Sequence, residues 1–156
     1  MKFLLLTVGK GKFPFFQQAV DHYQKNISHS AEIEIVELKD MDSLIEKEAD
    51  AMIAALVKRK ILGDGKNRIL VLDEHGKKYT SEKFSQEIEK WGDGGVNRIV
   101  FIIGGAFGVH KKLKEKAYAQ ISLSDFTFPH DLARVLLLEQ LYRALQIQAG
   151  SKYHHA

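Results

Sequence analysis

The chain predicts an α/β fold, a mostly parallel sheet with helices on both faces. Three observations predict it. Strand-like and helix-like segments alternate from end to end, the segments Arg68 to Leu72 and Arg98 to Ile103 are unbroken apolar runs, and glycine or polar clusters stand between successive segments. A continuous apolar run suits a strand buried on both faces, and strict alternation of strand and helix is the pattern of parallel crossovers.

Taken in order, Phe3 to Val8 reads as a buried strand, and Gly9-Lys10-Gly11 breaks it before a helix with Phe13, Phe16, Val20, Tyr23 and Ile27 on one side. Glu32 to Leu38 alternates charged and apolar residues, as a half-exposed strand near a sheet edge does. From Ser43 to Leu62, apolar residues recur at helical spacing until Gly63-Asp64-Gly65. After the strand Arg68 to Leu72, Ser81 is placed to cap a helix that carries Phe84, Ile88 and Trp91 on one stripe and closes at Gly92-Asp93-Gly94-Gly95. Arg98 to Ile103 is the strongest strand signal and runs into Gly104-Gly105-Ala106-Phe107-Gly108; Lys111 to Ala119 then reads as helix and Gln120 to Leu123 as a short last strand. Pro129 suits the first turn of a final helix that runs to about Ala149 and stops at Gly150.

With 156 residues, 45% hydrophobic and 28% charged, the chain is sized for one compact domain with a single sizeable core. No apolar run is long enough to span a bilayer, and the start Met1 to Leu6 lacks the core and cleavage site of a secretion signal. The absence of cysteine excludes disulfides, thiolate metal sites and cysteine nucleophiles, and with the missing export signal it points to the cytoplasm. A net charge of +3, with clusters at Lys58-Arg59-Lys60, Lys77-Lys78 and Lys111-Lys112, is compatible with a phosphate-backbone partner and equally with solvated helix faces.

Ligands of open α/β sheets collect outside the carboxyl ends of the strands, so the loops after Leu72, Ile103 and Leu123 are the candidate sites. Gly104-Gly105-x-x-Gly108 lets backbone approach a bulky ligand or simply makes a tight turn with positive φ. A dinucleotide site would place G-x-G-x-x-G after the first strand, whereas this loop follows the fourth, which makes a nicotinamide oxidoreductase a minor reading. Ser122-Leu123-Ser124-Asp125-Phe126-Thr127-Phe128-Pro129-His130 could wrap an adenine, or could be an N-capping segment with Thr127 or Asp125 as the cap and both phenylalanines in the core. The helix after it is apolar around more than one stripe, as expected for a helix that also packs against an identical subunit or lies at the centre of a monomer. Within it Arg143 can pair with Glu139 and Arg134 with Asp131.

Together, Phe101 to Gly108, Ser122 to His130, Arg134 to Ala144 and Tyr153-His154 resemble the ribosomal large-subunit pseudouridine N3-methyltransferases, of the SPOUT type, and the resemblance covers the whole chain. It implies a trefoil knot within about 70–156, S-adenosylmethionine bound in the knot, an obligate homodimer, and a pseudouridine of 23S rRNA in the assembled ribosome as substrate. Periodicity alone would never suggest a knot, because knots are nearly absent among folds. By carry-over, Leu72, Gly104, Gly105 and the stretch Asp125, Phe126, Thr127, Phe128, Pro129 and His130 line the cofactor pocket, and Gly108 only shapes the turn. Arg143, Tyr153 and His154 match the family's catalytic chain end, and aromatic Phe107 is a local departure. The acceptor nitrogen is an imide N–H that must lose its proton, so His154 is the expected base, Arg143 the stabiliser of developing negative charge, and Tyr153 a stacking or hydrogen-bonding partner of the base. A sulfonium is already a good leaving group, so no metal is expected. The competing reading from another class is a ribosome-binding factor with the same fold and no transferase activity.

Overall fold

The computed structural model describes residues 1–42, 44–63 and 65–153. Five strands form one sheet in the order β2-β1-β4-β3-β5, every neighbouring pair parallel. The strands are β1 (Lys2–Val8), β2 (Glu32–Leu38), β3 (Asn67–Lys78), β4 (Arg98–Ile103) and β5 (Ala119–Ser122). Between and after them come α1 (Pro14–Ser28), α2 (Ile45–Lys58), α3 (Ser81–Asp93), α4 (Lys111–Lys114) and α5 (His130–Gln148).

The apolar runs work as expected for central strands: alternate side chains of β1 and β4 feed different layers. Phe3, Leu5, Phe101 and Ile103 pack with Val20, Ile27, Phe84, Ile88, Trp91, Leu137 and Leu141, which is the layer under α1, α3 and α5. Leu4, Leu6, Val100 and Ile102 pack with Ala49, Met52, Leu56 and Leu113, the layer under α2 and α4. Glu32–Leu38 is indeed the edge strand, its glutamates exposed or partly so.

Several boundaries depart from the sequence expectation. α2 starts at Ile45 and ends at Lys58, and Ser43 lies outside the described residues. The cap of α3 is Thr80, whose Oγ1 accepts from the Lys83 N–H at 3.2 Å, while Ser81 instead donates its hydroxyl to Gln140 Oε1 at 2.7 Å and so ties α3 to α5. The helix expected over Lys111 to Ala119 is only Lys111–Lys114: Leu113 is its one buried side chain, and by Tyr118 the chain already donates to the Ile69 carbonyl of β3 at 2.8 Å. β3 runs on past Leu72 to Lys78. Ile121 of β5 is paired first with Leu72 and again with Lys77, with a shift of register between them. Residues 73–76 leave the ladder there, a bulge that polar sequence does not announce.

Candidate functional site

Because all five strands are parallel, their carboxyl ends emerge on one edge of the sheet. β4, β3 and β5 are neighbours and their registers run Val71 to Ile102 and Leu72 to Ile121, so Leu72, the turn after Ile103 and the loop after Ser122 rise side by side. With strands about 4.8 Å apart, the three exits span about 10 Å, the width of a nucleoside.

The glycines of the turn after β4 have distinct reasons. A Cβ on Gly104 would overlap the Gly108 carbonyl and come within 2.8 Å of Val109 Cγ2, so close approach excludes any side chain there. Gly108 has φ of 79° with open space around its Cα, so it is a conformational requirement, and its N–H donates to Gly105 O at 3.1 Å to close the turn. The turn does not open a helix: α4 begins three residues later, capped by His110 Nδ1, which accepts from Lys112 N–H at 3.3 Å. Phe107 stands 71% exposed at its tip.

Behind this turn lies a residue that sequence reading missed. Glu48 of α2 is 5% exposed and accepts a hydrogen bond from the Gly105 backbone, and both its oxygens come within 3.2 Å of where a Gly105 Cβ would sit. Burial pushes its carboxyl above the usual carboxylate range and the like charge of Asp40 adds to this, while the Gly105 amide and His130 pull the other way. A glutamate among alanines of an amphipathic helix reads as surface. The signal that could have found it is its position on the stripe of Met52 and Leu56, the apolar face of α2.

The loop after β5 is not a capping segment. The N-cap of α5 is Pro129 itself, one position before the expected first turn, and no side chain caps the helix. Asp125 is exposed and ion-paired with Lys78, Phe126 is 81% exposed with its N–H on Ser124 Oγ at 3.0 Å, Thr127 is exposed, and Phe128 and His130 are half-buried. An 81% exposed phenylalanine is available to a ligand, and it is not in the core. Leu72 is half-buried, and Asp73 after it binds Lys114 and accepts the His75 N–H at 3.0 Å. Burial alone would raise the Asp73 carboxyl, but Lys114 and the His75 amide outweigh it and hold it below its ordinary range.

The start of α5 is fastened to β1. Asp131 Oδ2 accepts the Lys12 N–H at 3.0 Å. Its Oδ1 is buried and makes no hydrogen bond among the described residues, although His130 Nε2 approaches it at 3.3 Å. Arg134 does not pair with Asp131. It is 2% exposed and reaches Glu37 Oε1 at 2.5 Å, Thr7 Oγ1 at 2.6 Å and the Gly9 carbonyl at 3.1 Å, because the two strand ends offer it three acceptors at once. On the other side of this fastening, Lys10, Lys12, Phe13, Gln17 and Glu37 line a cleft of about 590 Å³.

Arg143 and Tyr153 are brought together. Arg143 binds Glu139 Oε1 at 2.6 Å as the spacing foresaw, and its guanidinium lies 4.9 Å from the Tyr153 ring centroid. Tyr153 donates its hydroxyl to the same Glu139 oxygen at 3.4 Å and packs edge-on against Tyr142. Burial, with Tyr23 and Glu139 nearby, pushes the Tyr153 phenol up to about 12, so it is a neutral donor near neutral pH. His154 lies outside the described residues. This pair is not beside the loop that leads into α5 of its own chain: Arg143 is thirteen residues beyond His130 on one helix, about 20 Å along the axis. Among the described residues no group of three or more His, Asp or Glu is placed to hold a metal ion, and no helix is long and apolar enough to cross a membrane.

Comparison with known proteins agrees with this architecture. Residues 1–154 match a family model described as predicted SPOUT methyltransferase. A protein of Streptococcus uberis named Ribosomal RNA large subunit methyltransferase H is 38% identical over 165 residues, covering 99% of each chain. Proteins of the same name from Natranaerobius thermophilus and Nitratidesulfovibrio vulgaris are 37% and 40% identical, covering 99% and 97% of this chain and 100% and 96% of their own. With a full-length family match, full-length relatives well above 30% identity, and a parallel α/β sheet whose glycine turn follows β4, the chain belongs to the SPOUT methyltransferases, in the group of the ribosomal RNA large subunit methyltransferases H.

Proposed function

We propose that this protein is a cytoplasmic, homodimeric enzyme of one domain that transfers a methyl group from S-adenosylmethionine to N3 of a pseudouridine in 23S rRNA of the assembled ribosome. The observation that carries the reading is the edge where Leu72, the Gly104–Gly105 turn and the loop from Asp125 to His130 rise side by side from neighbouring strands. The residues suit the cofactor: a turn stripped of side chains for close approach, an exposed Phe126 to cover an adenine, and backbone groups on three loops for the ribose and the amino-acid end. The trefoil knot belongs to the same proposal, and the crossing of residues 73–76 past Ile121 is where the chain would be threaded.

When bound, the cofactor supplies an electrophilic methyl on a sulfonium. The protein then has to align and deprotonate the acceptor. His154 takes the imide proton, Arg143 stabilises the negative charge that develops on the flanking carbonyl oxygen, and Tyr153, a neutral phenol, stacks on or donates to the base. The glutamate that holds Arg143 also keeps the guanidinium charged and oriented.

The catalytic end serves the pocket of a second copy. Leu132 and Leu136 are half-exposed on the stripe of α5 that also carries Glu139 and Arg143, outside both apolar cores, and this stripe is the surface a second α5 would cover. An antiparallel pair of such helices carries Arg143 of one copy toward His130 of the other.

Tritiated methyl transfer onto assembled ribosomes, separated subunits and naked rRNA, followed by mass spectrometry of the product nucleoside, tests the reading. His154→Ala is expected to bind S-adenosylmethionine normally and lose about 100-fold or more in transfer. A product other than N3-methylpseudouridine, equal transfer to all three substrates, or unchanged turnover by the variant contradicts the corresponding part.

A further inference from the structure

We propose that Glu48 makes the glycine turn selective for a cation, so that a sulfonium donor is held in preference to the neutral thioether that remains once the methyl has gone. The inference rests on the cofactor reading above and concerns a residue that the methyl-transfer step does not use.

Glu48 is a carboxyl with 5% exposure in a layer otherwise built from Ala49, Met52, Leu56, Val100 and Ile102. Such a group costs stability unless something compensates it. Its compensation is meagre: one backbone hydrogen bond, from Gly105. The acidic neighbours on its own helix are occupied elsewhere, since Lys112 of α4 binds Glu46 at 3.3 Å and Asp50 at 2.5 Å. The charged groups that face Glu48 are Asp40, beyond the end of β2, which repels it, and His130, at the start of α5, which attracts it when protonated. Among the described residues no lysine or arginine joins them.

The carboxylate is therefore a buried negative charge that faces no lysine or arginine among the described residues, and on the cofactor reading only Gly105 stands between it and a ligand seated on the outer side of the turn. Gly105 cannot shield it, having no side chain, and a Cβ there would press on both Glu48 oxygens at 3.2 Å. In a medium of low dielectric, a positive ligand on the far side of that residue feels the charge strongly and in return favours the ionised form. The raised proton affinity of Glu48 fits this arrangement. A cation arriving at the turn expels a proton from Glu48 wherever it is partly protonated, whereas a neutral ligand of the same shape does not. Methyl transfer turns the sulfonium into a thioether and cancels the attraction, which favours release of product over release of donor.

Calorimetry with S-adenosylmethionine and S-adenosylhomocysteine on the full-length dimer, wild type and Glu48→Gln, tests this. Glutamine keeps an oxygen for the Gly105 N–H and removes only the charge. The expected result is a Kd for the sulfonium raised about 10-fold, with the thioether within about 2-fold. Equal weakening of both ligands would make Glu48 a mere prop of the turn, and no change in either would leave it without a role; each overturns the inference. Should the variant not fold, the wild type alone decides: in mildly acidic buffers of different ionisation enthalpy, the sulfonium should release protons on binding and the thioether should not. Equal release by both overturns the inference. A wild type that binds neither compound removes the cofactor reading and this inference with it, whereas one that binds both with no effect of charge removes only the inference.

Discussion

Replacing Arg134 with methionine should cost the fold about 3 kcal/mol, because the side chain is a buried cation that closes one end of the sheet. Arg134 is 2% exposed and gives Nη1 to Glu37 and Nη2 to Thr7 and the Gly9 carbonyl, with its Nε left unsatisfied. Methionine fills a similar volume, so the cavity contribution is small, and the loss comes from stranded acceptors. Thr7 is 1% exposed and also donates to the Val8 carbonyl, so its hydroxyl loses an acceptor role only. Glu37 is 24% exposed at its side chain and can recover part of its hydration, which keeps the total at the low end of the roughly 3–5 kcal/mol for breaking a buried ion pair. For a chain of 156 residues, about 3 kcal/mol lowers Tm by about 9 °C. Urea and thermal unfolding of Arg134→Met, Glu37→Ala and the double variant, all at one protomer concentration, form the assay. If Glu37→Ala costs about 2 kcal/mol, the double variant should cost about 3 kcal/mol and not the sum, because the second change removes a partner already lost. A single-variant cost under about 1 kcal/mol, or strict additivity, would refute the claim that this ion pair ties α5 to the ends of β1 and β2.

Two glycines should respond in opposite directions. A Cβ at Gly76 would lie 2.5 Å from the Ile121 carbonyl carbon and 2.6 Å from its nitrogen, so Gly76→Ala should destabilise by at least about 3 kcal/mol or fail to fold; a near-neutral variant would mean residues 73–76 do not pass that close to β5. At Gly92, inside α3, an added Cβ would meet the flexible Met1 Cε at 3.1 Å and, among the described residues outside its own helix backbone, nothing else within 4 Å, so Gly92→Ala should stabilise by about 0.5–1 kcal/mol in the same melts. Asp73 has a folded-state proton affinity below its ordinary value of 3.8. The folded state thus binds fewer protons than the unfolded chain, and its contribution is complete above 3.8 and lost as pH falls through the folded value. Urea midpoints of wild type and Asp73→Asn should therefore converge in acid and separate above it, and parallel curves would exclude the Lys114 contact as a source of stability.

The sheet was legible because its central strands carry apolar runs, Ile99 to Ile103 and Phe3 to Leu6, that have no other use than burial on two faces. The helical stripes of Val20 and Ile27 and of Phe84, Ile88 and Trp91 were legible for the same reason. What escaped the sequence was held by contacts between distant residues. Lys77 and Lys78 look like a solvated loop and are strand, because β5 arrives from more than forty residues away to pair with them. Arg134 looked like a partner for Asp131 three residues back, and instead crosses to Thr7 and Glu37, more than ninety residues earlier. Glu48 had no motif at all. Its meaning depends on the turn after β4 closing over it, and no local pattern carries that information.

The arrangement of α5 decides more than its composition. Its first turns are fixed to the loop after β1 through Asp131 and to β1 through Arg134, its middle to α3 through Gln140 and Ala144, and its far end presents Arg143 with Tyr153. A helix pinned at three points cannot bend its Arg143 end back onto its own first turn, and 20 Å is about three times the reach of an arginine side chain. If the loops after β3, β4 and β5 hold the donor, the residues at the far end can act only on a donor held by another copy. In the dimer proposed above, the half-exposed Leu132 and Leu136 on the same stripe share one function with Arg143: the surface proposed to join two copies is also the one proposed to complete each site. On that proposal dimerisation and catalysis are one requirement on one helix, and it offers a reason for an α5 apolar over more of its circumference than the single core beneath it needs.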